Sequence, residues 1–227
     1  MALLTDSIFP YEYERTGRWY RREIERPEFM EPGLRLVRTK VKMINFYRDS
    51  DSDISDIATT QAMVHTEPNE VVYYHGTTDT HATNILERGI DLKKSRARQD
   101  FSNGNGFYVT QDIDKAVEWA KRKARGGTGA IIAFRISKDL EREEPHLSLE
   151  VHTARREQLW RKVVSYFRKG VYDSEVVSLV QNQKFITGPV SDVRTTPYDF
   201  DQTCIRDADY AKRFGRLQNI LFVIFIA

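Results

Sequence analysis

The sequence predicts an α+β fold, and three observations point to it. Short β-branched and aromatic runs such as "VVYYH" (Val71–His75), "GFYVT" (Gly106–Thr110) and "AIIAFRI" (Ala130–Ile136) have the composition of strands. Between them lie stretches whose apolar residues recur at helical spacing. The two kinds of element follow one another without the regular βαβ alternation of a doubly wound sheet.

The elements can be placed in order. "VVYYH" is a strand, and Asp79 or Thr80 can cap a short helix whose Ala82, Ile85 and Leu86 share a face. Gly89 supplies the left-handed residue at that helix end. "GFYVT" follows as a strand, with Thr110 or Asp112 capping the next helix. Ile113, Ala116, Val117, Ala120 and Ala124 form its apolar stripe, and Gly126 and Gly127 end it. "AIIAFRI" is apolar on both faces. A helix around Ala154–Arg168 buries Leu159, Val163 and Phe167. "KFITGP" and "DQTCIR" are further strands, Asp207 caps a short helix through "ADYAKRF", and "NILFVIF" is the last strand.

Composition sets outer bounds. The 227 residues suffice for one substantial domain plus an extension, or for two small ones. A 40% apolar content can build a core, and a net charge of +2 argues against a dominant field for nucleic acid. The longest apolar run, "ILFVIFIA" (Ile220–Ala227), is too short to span a membrane, and "MALLTDSIFPYEYER" lacks the pattern of a signal peptide. With Cys204 as the single cysteine, no intrachain disulfide forms, and an intracellular, reducing setting is expected. Residues 1–68 are dense in charge and thin in apolar groups, so they are expected to be an extension and linker. "RDSDSDISDIATT" (Arg48–Thr60) has the composition of a loop, while "GLRLVRTKVKMINFYR" alternates enough for one or two strands. Residues 69–227 form the folded domain in this division.

Several chemistries are set aside. "NGNG" (Asn103–Gly106) and "GGTG" (Gly126–Gly129) both lead into strands, whereas a dinucleotide fingerprint needs a helix after its glycines. Among the five histidines, His75 and His81 are six apart, as are His146 and His152, so no metal pair at helical spacing exists and no metal is expected. No "GxSxG" elbow is present, and Cys204 sits in an apolar strand.

His75 is different, because it ends a strand and is followed at once by Gly76, Thr77 and Thr78. In isolation this is a satisfied histidine at a strand end. With the glycine, a flat ligand could approach the backbone and bond a carboxamide edge, while His75 bonds a ribose hydroxyl. Tyr108 taken alone is a core aromatic. Trp119 lies eleven residues on, one helix away, and the two rings could wall a slot for a flat heterocycle.

"YYHGTTDTHATNILERGI" followed by "DFSNGNGFYVTQDIDKAVEWA" resembles the diphtheria-toxin and poly(ADP-ribose)-polymerase branch of the ADP-ribosyltransferases. The resemblance implies a split, mainly antiparallel sheet core with short flanking helices, and NAD as co-substrate. It implies that His75 bonds the nicotinamide ribose and that Gly76, beside Thr77, holds the carboxamide. Tyr108 would stack on nicotinamide and Trp119 would cover its other face. A small hydroxyl residue that some members place three before the second aromatic is Ala116 here.

The chain departs from the pattern at the third position. "DFDQTCIRDADYAKRF" resembles the family's last catalytic strand, but its glutamate aligns with Gln202, and the adjacent Asp201 should face the other way. Gln202 can accept a ribose hydroxyl but supplies neither charge nor base. Losing one such electrostatic contact commonly costs about 10²–10³ in rate. The expected function is therefore mono-ADP-ribosyl transfer, to a protein acceptor before a nucleic acid. The alternative is a module that binds NAD or ADP-ribose without turnover.

Overall fold

A strand whose inward face carries an arginine and a glutamate opens the fold. The computed structural model describes residues 20–30, 32–46 and 66–226, so the expected linker Arg48–Thr60 and the stretch "MALLTDSIFPYEYER" lie outside the described residues. β1 (Tyr20–Met30) pairs antiparallel with β2 (Gly33–Phe46), with Ile24 opposite Thr39 and Phe29 opposite Leu34. The expected alternation over "GLRLVRTKVKMINF" is β2. β1 was not expected.

The described residues combine six α-helices with two mostly antiparallel sheets, the α+β class expected from sequence. The chain divides into two compact units. Of the described residues, the first holds those up to Gly89, Asp112–Ile136 and those from Gly215 to Ile226. Its five-stranded sheet has the order β1-β2-β9-β5-β3, where β3 is Glu70–Thr78, β5 is Gly129–Ser137 and β9 is Ile220–Ile226. β9 runs parallel to β2 and antiparallel to β5. Flanked on both edges, β5 is buried from Gly129 through Phe134, which is why its sequence is apolar on both faces.

Two helices complete this unit. α1 (Asp79–Arg88) buries Ala82, Ile85 and Leu86 as expected and ends at Gly89 with φ +85°. Its cap is Thr78, whose hydroxyl accepts the His81 N–H, so the helix starts one turn position earlier than Asp79 or Thr80 would give. Asp79 instead lies in the first turn, where the helix dipole favours a negative charge. α2 (Ile113–Ala124) is capped by Asp112 and buries Ile113, Ala116, Val117 and Ala120 against Ile131, Ala133, Phe222 and Ile224. The chain leaves α2 through Arg125 (φ +48°) and Gly126 (φ +96°).

The second unit spans Ile90–Gln111 and Ser137–Phe214. Its four-stranded sheet has the order β4-β8-β7-β6, from β4 (Phe107–Val109), β6 (His146–Ser148), β7 (Phe185–Ser191) and β8 (Pro197–Ile205). α3 (Lys138–Arg142), α5 (Ser174–Val180) and α6 (Ala208–Phe214) are short, and Asp207 caps α6 through the Tyr210 N–H as expected. α4 (Ala154–Lys169) buries Trp160, Val163, Val164 and Phe167 in a core shared with Phe101, Leu149, Ile186 and Cys204. Leu159, expected inside, is only partly buried, and the indole of Trp160 takes the central place with its N–H on the Pro189 carbonyl. Among the described residues no helix is long and apolar enough to cross a membrane.

Arg26 ties the first unit together. Its Nη1 donates to the carbonyls of Ile85 and Leu86 at the end of α1, and its Nη2 to that of Gly215. Nε and Nη2 both reach Glu28 Oε1, which also accepts the Leu217 N–H. Both side chains are buried. Removing one member of a buried, hydrogen-bonded ion pair leaves an uncompensated charge and costs about 3–5 kcal/mol. Arg26→Met should therefore lower the stability measured by denaturant unfolding by that amount, whereas Arg38→Met, at an exposed and solvent-screened pair, should leave it essentially unchanged.

Candidate functional site

The expected site residues fall in two groups, one in each unit. His75, Gly76 and Thr77 lie in β3 and Trp119 in α2, all in the first unit. Tyr108 lies in β4 and Gln202 in β8, both in the second.

In the first group, β3 is buried continuously from Tyr73 to Thr77 because α2 packs flat against it. His75 is 8% exposed and Thr77 is buried. Gly76 is where α2 comes closest: a Cβ there would stand 2.1 Å from the Ala116 carbonyl oxygen and 3.0 Å from the Ala120 nitrogen. The glycine is thus required by helix packing. Its carbonyl accepts a hydrogen bond from Lys123 Nζ at 2.9 Å, so the oxygen expected to meet a carboxamide is already bonded to an ammonium. Trp119 is 38% exposed, an aromatic left outside the buried stripe of α2, with the Arg122 guanidinium 4.9 Å from its ring.

The second group is brought onto one sheet face. Tyr108 stands opposite Cys204 in the β4–β8 ladder, and Gln202 is two residues from Cys204 along β8, hence on the same side. The Tyr108 hydroxyl accepts the Phe101 N–H at 3.1 Å and shares a hydrogen bond with Ser102 Oγ at 3.0 Å. Burial pushes this phenol well above its usual range, with Cys204 adding to the shift, so it stays protonated. Gly106 permits the arrangement, since a Cβ there would collide with Ser102 Oγ at 2.4 Å and Cys204 Sγ at 2.8 Å. The Cys204 thiol is fully buried and pushed up to about 12 by that burial, which removes it as a nucleophile.

Gln202 has a partner that sequence reasoning did not single out. Its Nε2 donates to Asp100 Oδ2 at 2.7 Å. The same oxygen accepts the Ser191 N–H at 2.8 Å, and Arg168 Nε lies 2.9 Å from Oδ1. Asp100 is 6% exposed, and its carboxyl is raised above the usual range by burial, opposed by the Ser191 N–H, by Arg168 and by Gln202. Asp100 stands in the "DFSNGNGFYVT" segment that carries the resemblance, but nothing in its spacing marks it as a partner of position 202. Asp201 is exposed, consistent with its position on the opposite side of β8 from Gln202.

The second unit also has an open polar cleft of about 490 Å³, with Ser102, Asn103, Asn105, Gln183, Lys184 and Arg206 among its lining residues. None of the expected site residues lines it.

A family model described as a protein of unknown function, DUF3990, matches residues 71–213, well over half of the chain. The chain belongs to the DUF3990 family. No curated protein matches it. The DUF3990 segment contains every expected site residue together with Asp100, Ser102, Arg168 and Ser191, while β1, β2 and β9 lie outside it.

Two outcomes follow for this DUF3990 protein. Gly76→Ala should destabilise the fold by at least about 1–3 kcal/mol in thermal or denaturant unfolding, with no ligand present, because the α2 backbone must move. Cys204 should resist thiol reagents at pH 8 in the native state and react fully once the chain is unfolded in guanidinium.

Proposed function

We propose that this chain is a mono-ADP-ribosyltransferase whose co-substrate is NAD, with the split-sheet core of that superfamily. The observation that carries the proposal is the placement of Tyr108 and Gln202 on the same face of β4–β8, with the amide nitrogen of Gln202 tied to a buried carboxylate. A ring and an oriented amide acceptor on one sheet face suit a nicotinamide and the ribose attached to it. The mixed α+β architecture and the exposed indole of Trp119 also support it. His75, Gly76 and Thr77 would hold the nicotinamide ribose and carboxamide, with the Gly76 carbonyl shared between Lys123 and the ligand.

In the proposed reaction the bond between the ribose C1′ and the pyridinium nitrogen breaks, and its electron pair leaves with nicotinamide as the neutral base. The ribose passes through an oxocarbenium-like state. An acceptor heteroatom then bonds C1′ and releases its proton to solvent or to a base on the acceptor. In the second unit Tyr108 would hold the leaving ring and Gln202 would fix a ribose hydroxyl. No metal enters this scheme. A protein acceptor is proposed before a nucleic acid, and an intracellular setting is where NAD is available.

A second reading, NAD or ADP-ribose binding without turnover, is favoured by one specific observation: position 202 presents a neutral amide. One measurement separates the two. The purified chain is incubated with NAD and candidate acceptors, and nicotinamide release and acceptor mass are followed by mass spectrometry. Transfer predicts nicotinamide release with an ADP-ribose adduct, lowered about 10²-fold or more by His75→Ala and by Tyr108→Ala. NAD-induced thermal stabilisation without release supports the binding module. Neither release nor stabilisation overturns both.

A further inference from the structure

We propose that Asp100 is the positioning residue for Gln202: it fixes the amide so that only the oxygen is presented, and it excludes a carboxylate from position 202. The proposal rests on the ADP-ribosyltransferase reading for its functional meaning, but its physical content is the local pair.

An ionised carboxylate only accepts hydrogen bonds, so the Gln202 amide must turn its nitrogen toward Asp100 Oδ2. That leaves Oε1 as the atom turned from Asp100, and among the described residues it accepts no side-chain or backbone hydrogen bond. The face offered to a ligand is therefore acceptor-only, which matches a sugar hydroxyl and rejects a second acceptor. A freely rotating glutamine would offer donor and acceptor alike.

The same geometry accounts for the residue type. A glutamate at 202 would put a second carboxylate within hydrogen-bond distance of a buried first one. Around Asp100, α4 supplies Arg168, β7 supplies the Ser191 N–H, and β8 supplies Gln202 and the protonated thiol of Cys204. The Arg168 guanidinium is already divided, since it also acts on Asp192. Two carboxylates so placed share a proton, and the second ionisation of the pair moves upward. On the ADP-ribosyltransferase reading, the carboxylate expected at position 202 is replaced by an amide, and the nearest one across its hydrogen bond is the set-back Asp100.

The test is a double-mutant cycle of wild type, Gln202→Glu, Asp100→Asn and the double variant, read first without NAD by thermal unfolding against pH. In Gln202→Glu the shared-proton pair has a folded pKa above its unfolded value. Its stability relative to wild type should be retained below about pH 4.3 and lost progressively as pH rises toward 8. In the double variant one carboxylate is gone, and this pH-dependent loss should disappear, so the two substitutions are non-additive. A pH-independent Gln202→Glu, or additive effects, overturns the proposal. Asp100→Asn could fail to fold, so a second measurement uses the wild type alone. The Gln202 side-chain amide signal, assigned by its absence in Gln202→Glu, should show slowed hydrogen exchange with solvent, and exchange at the free-amide rate overturns the proposal.

Nicotinamide release is measured on the same variants. With turnover, the double variant should exceed both single variants at pH 7, and a pH profile displaced upward should mark Gln202→Glu. If the stability cycle behaves as stated and no variant releases nicotinamide, the pair stands and the transferase reading fails. If nicotinamide is released and the stability cycle is additive, the transferase reading stands and this proposal fails.

Discussion

A carboxylate removed from water must be surrounded by donors, and in the second unit that requirement is met at Asp100 from three elements at once. β7 gives the Ser191 N–H, α4 gives Arg168, and β8 gives Gln202. The β7–β8 register shifts between Pro189 and Ser191, where the Ser191 N–H is directed to Asp100. α4 is fastened to the same irregularity, because Trp160 donates to the Pro189 carbonyl and Arg168 to Ser191 Oγ and the Asp192 carbonyl. One buried charge therefore fixes the bend in β7, the seating of α4 and the orientation of the amide at 202. Burial raises its carboxyl above the usual range, and the Ser191 N–H, Arg168 and Gln202 oppose that shift.

The first unit uses the same logic with the sign reversed. The end of α1 leaves carbonyls without helical partners, and the buried guanidinium of Arg26 meets those of Ile85 and Leu86 while Glu28 balances its charge. Because Glu28 also takes the Leu217 N–H, residues far apart in the chain are held by one ion pair. This makes β1 part of the sheet's support, although β1 lies outside the matched family segment.

Most of the first unit's order from β3 onward was legible, because those elements obey local rules. The buried stripes of α1 and α2, the glycine ending α1, the doubly apolar β5 and the strand through "NILFVIF" follow from periodicity and end signals alone. β1 was not legible, since its inward positions are Ile24, Arg26 and Glu28 while Pro27 and Phe29 face out, which inverts the apolar alternation that marks a strand. The three-residue β6 and the single-turn α3 carry too little pattern to register. In the site, the shared face of Tyr108 and Gln202 depends on β4–β8 register, a non-local quantity that no window of sequence encodes. Asp100 was hidden for the same reason: its meaning lies in partners on β7, α4 and β8.

These placements redistribute the weight of the functional argument. Gly76 is demanded by contact with the α2 backbone, so its presence is explained without a ligand, and the "HGT" run speaks for NAD less than its composition suggests. The stronger support comes from the oriented amide. Yet orientation and charge would act on different parts of the proposed reaction. A fixed acceptor aligns a ribose hydroxyl and lowers the entropic part of the barrier. Stabilising the developing cation needs negative charge nearby, and the charge on Asp100 is set back from Gln202 and paired with Arg168, so little of its field remains to act on a sugar. A site built this way would favour holding the sugar over breaking its bond. Its natural product would be one slow transfer to a strongly nucleophilic acceptor, and chain elongation through a weakly nucleophilic ribose hydroxyl is the reaction it is least suited to perform.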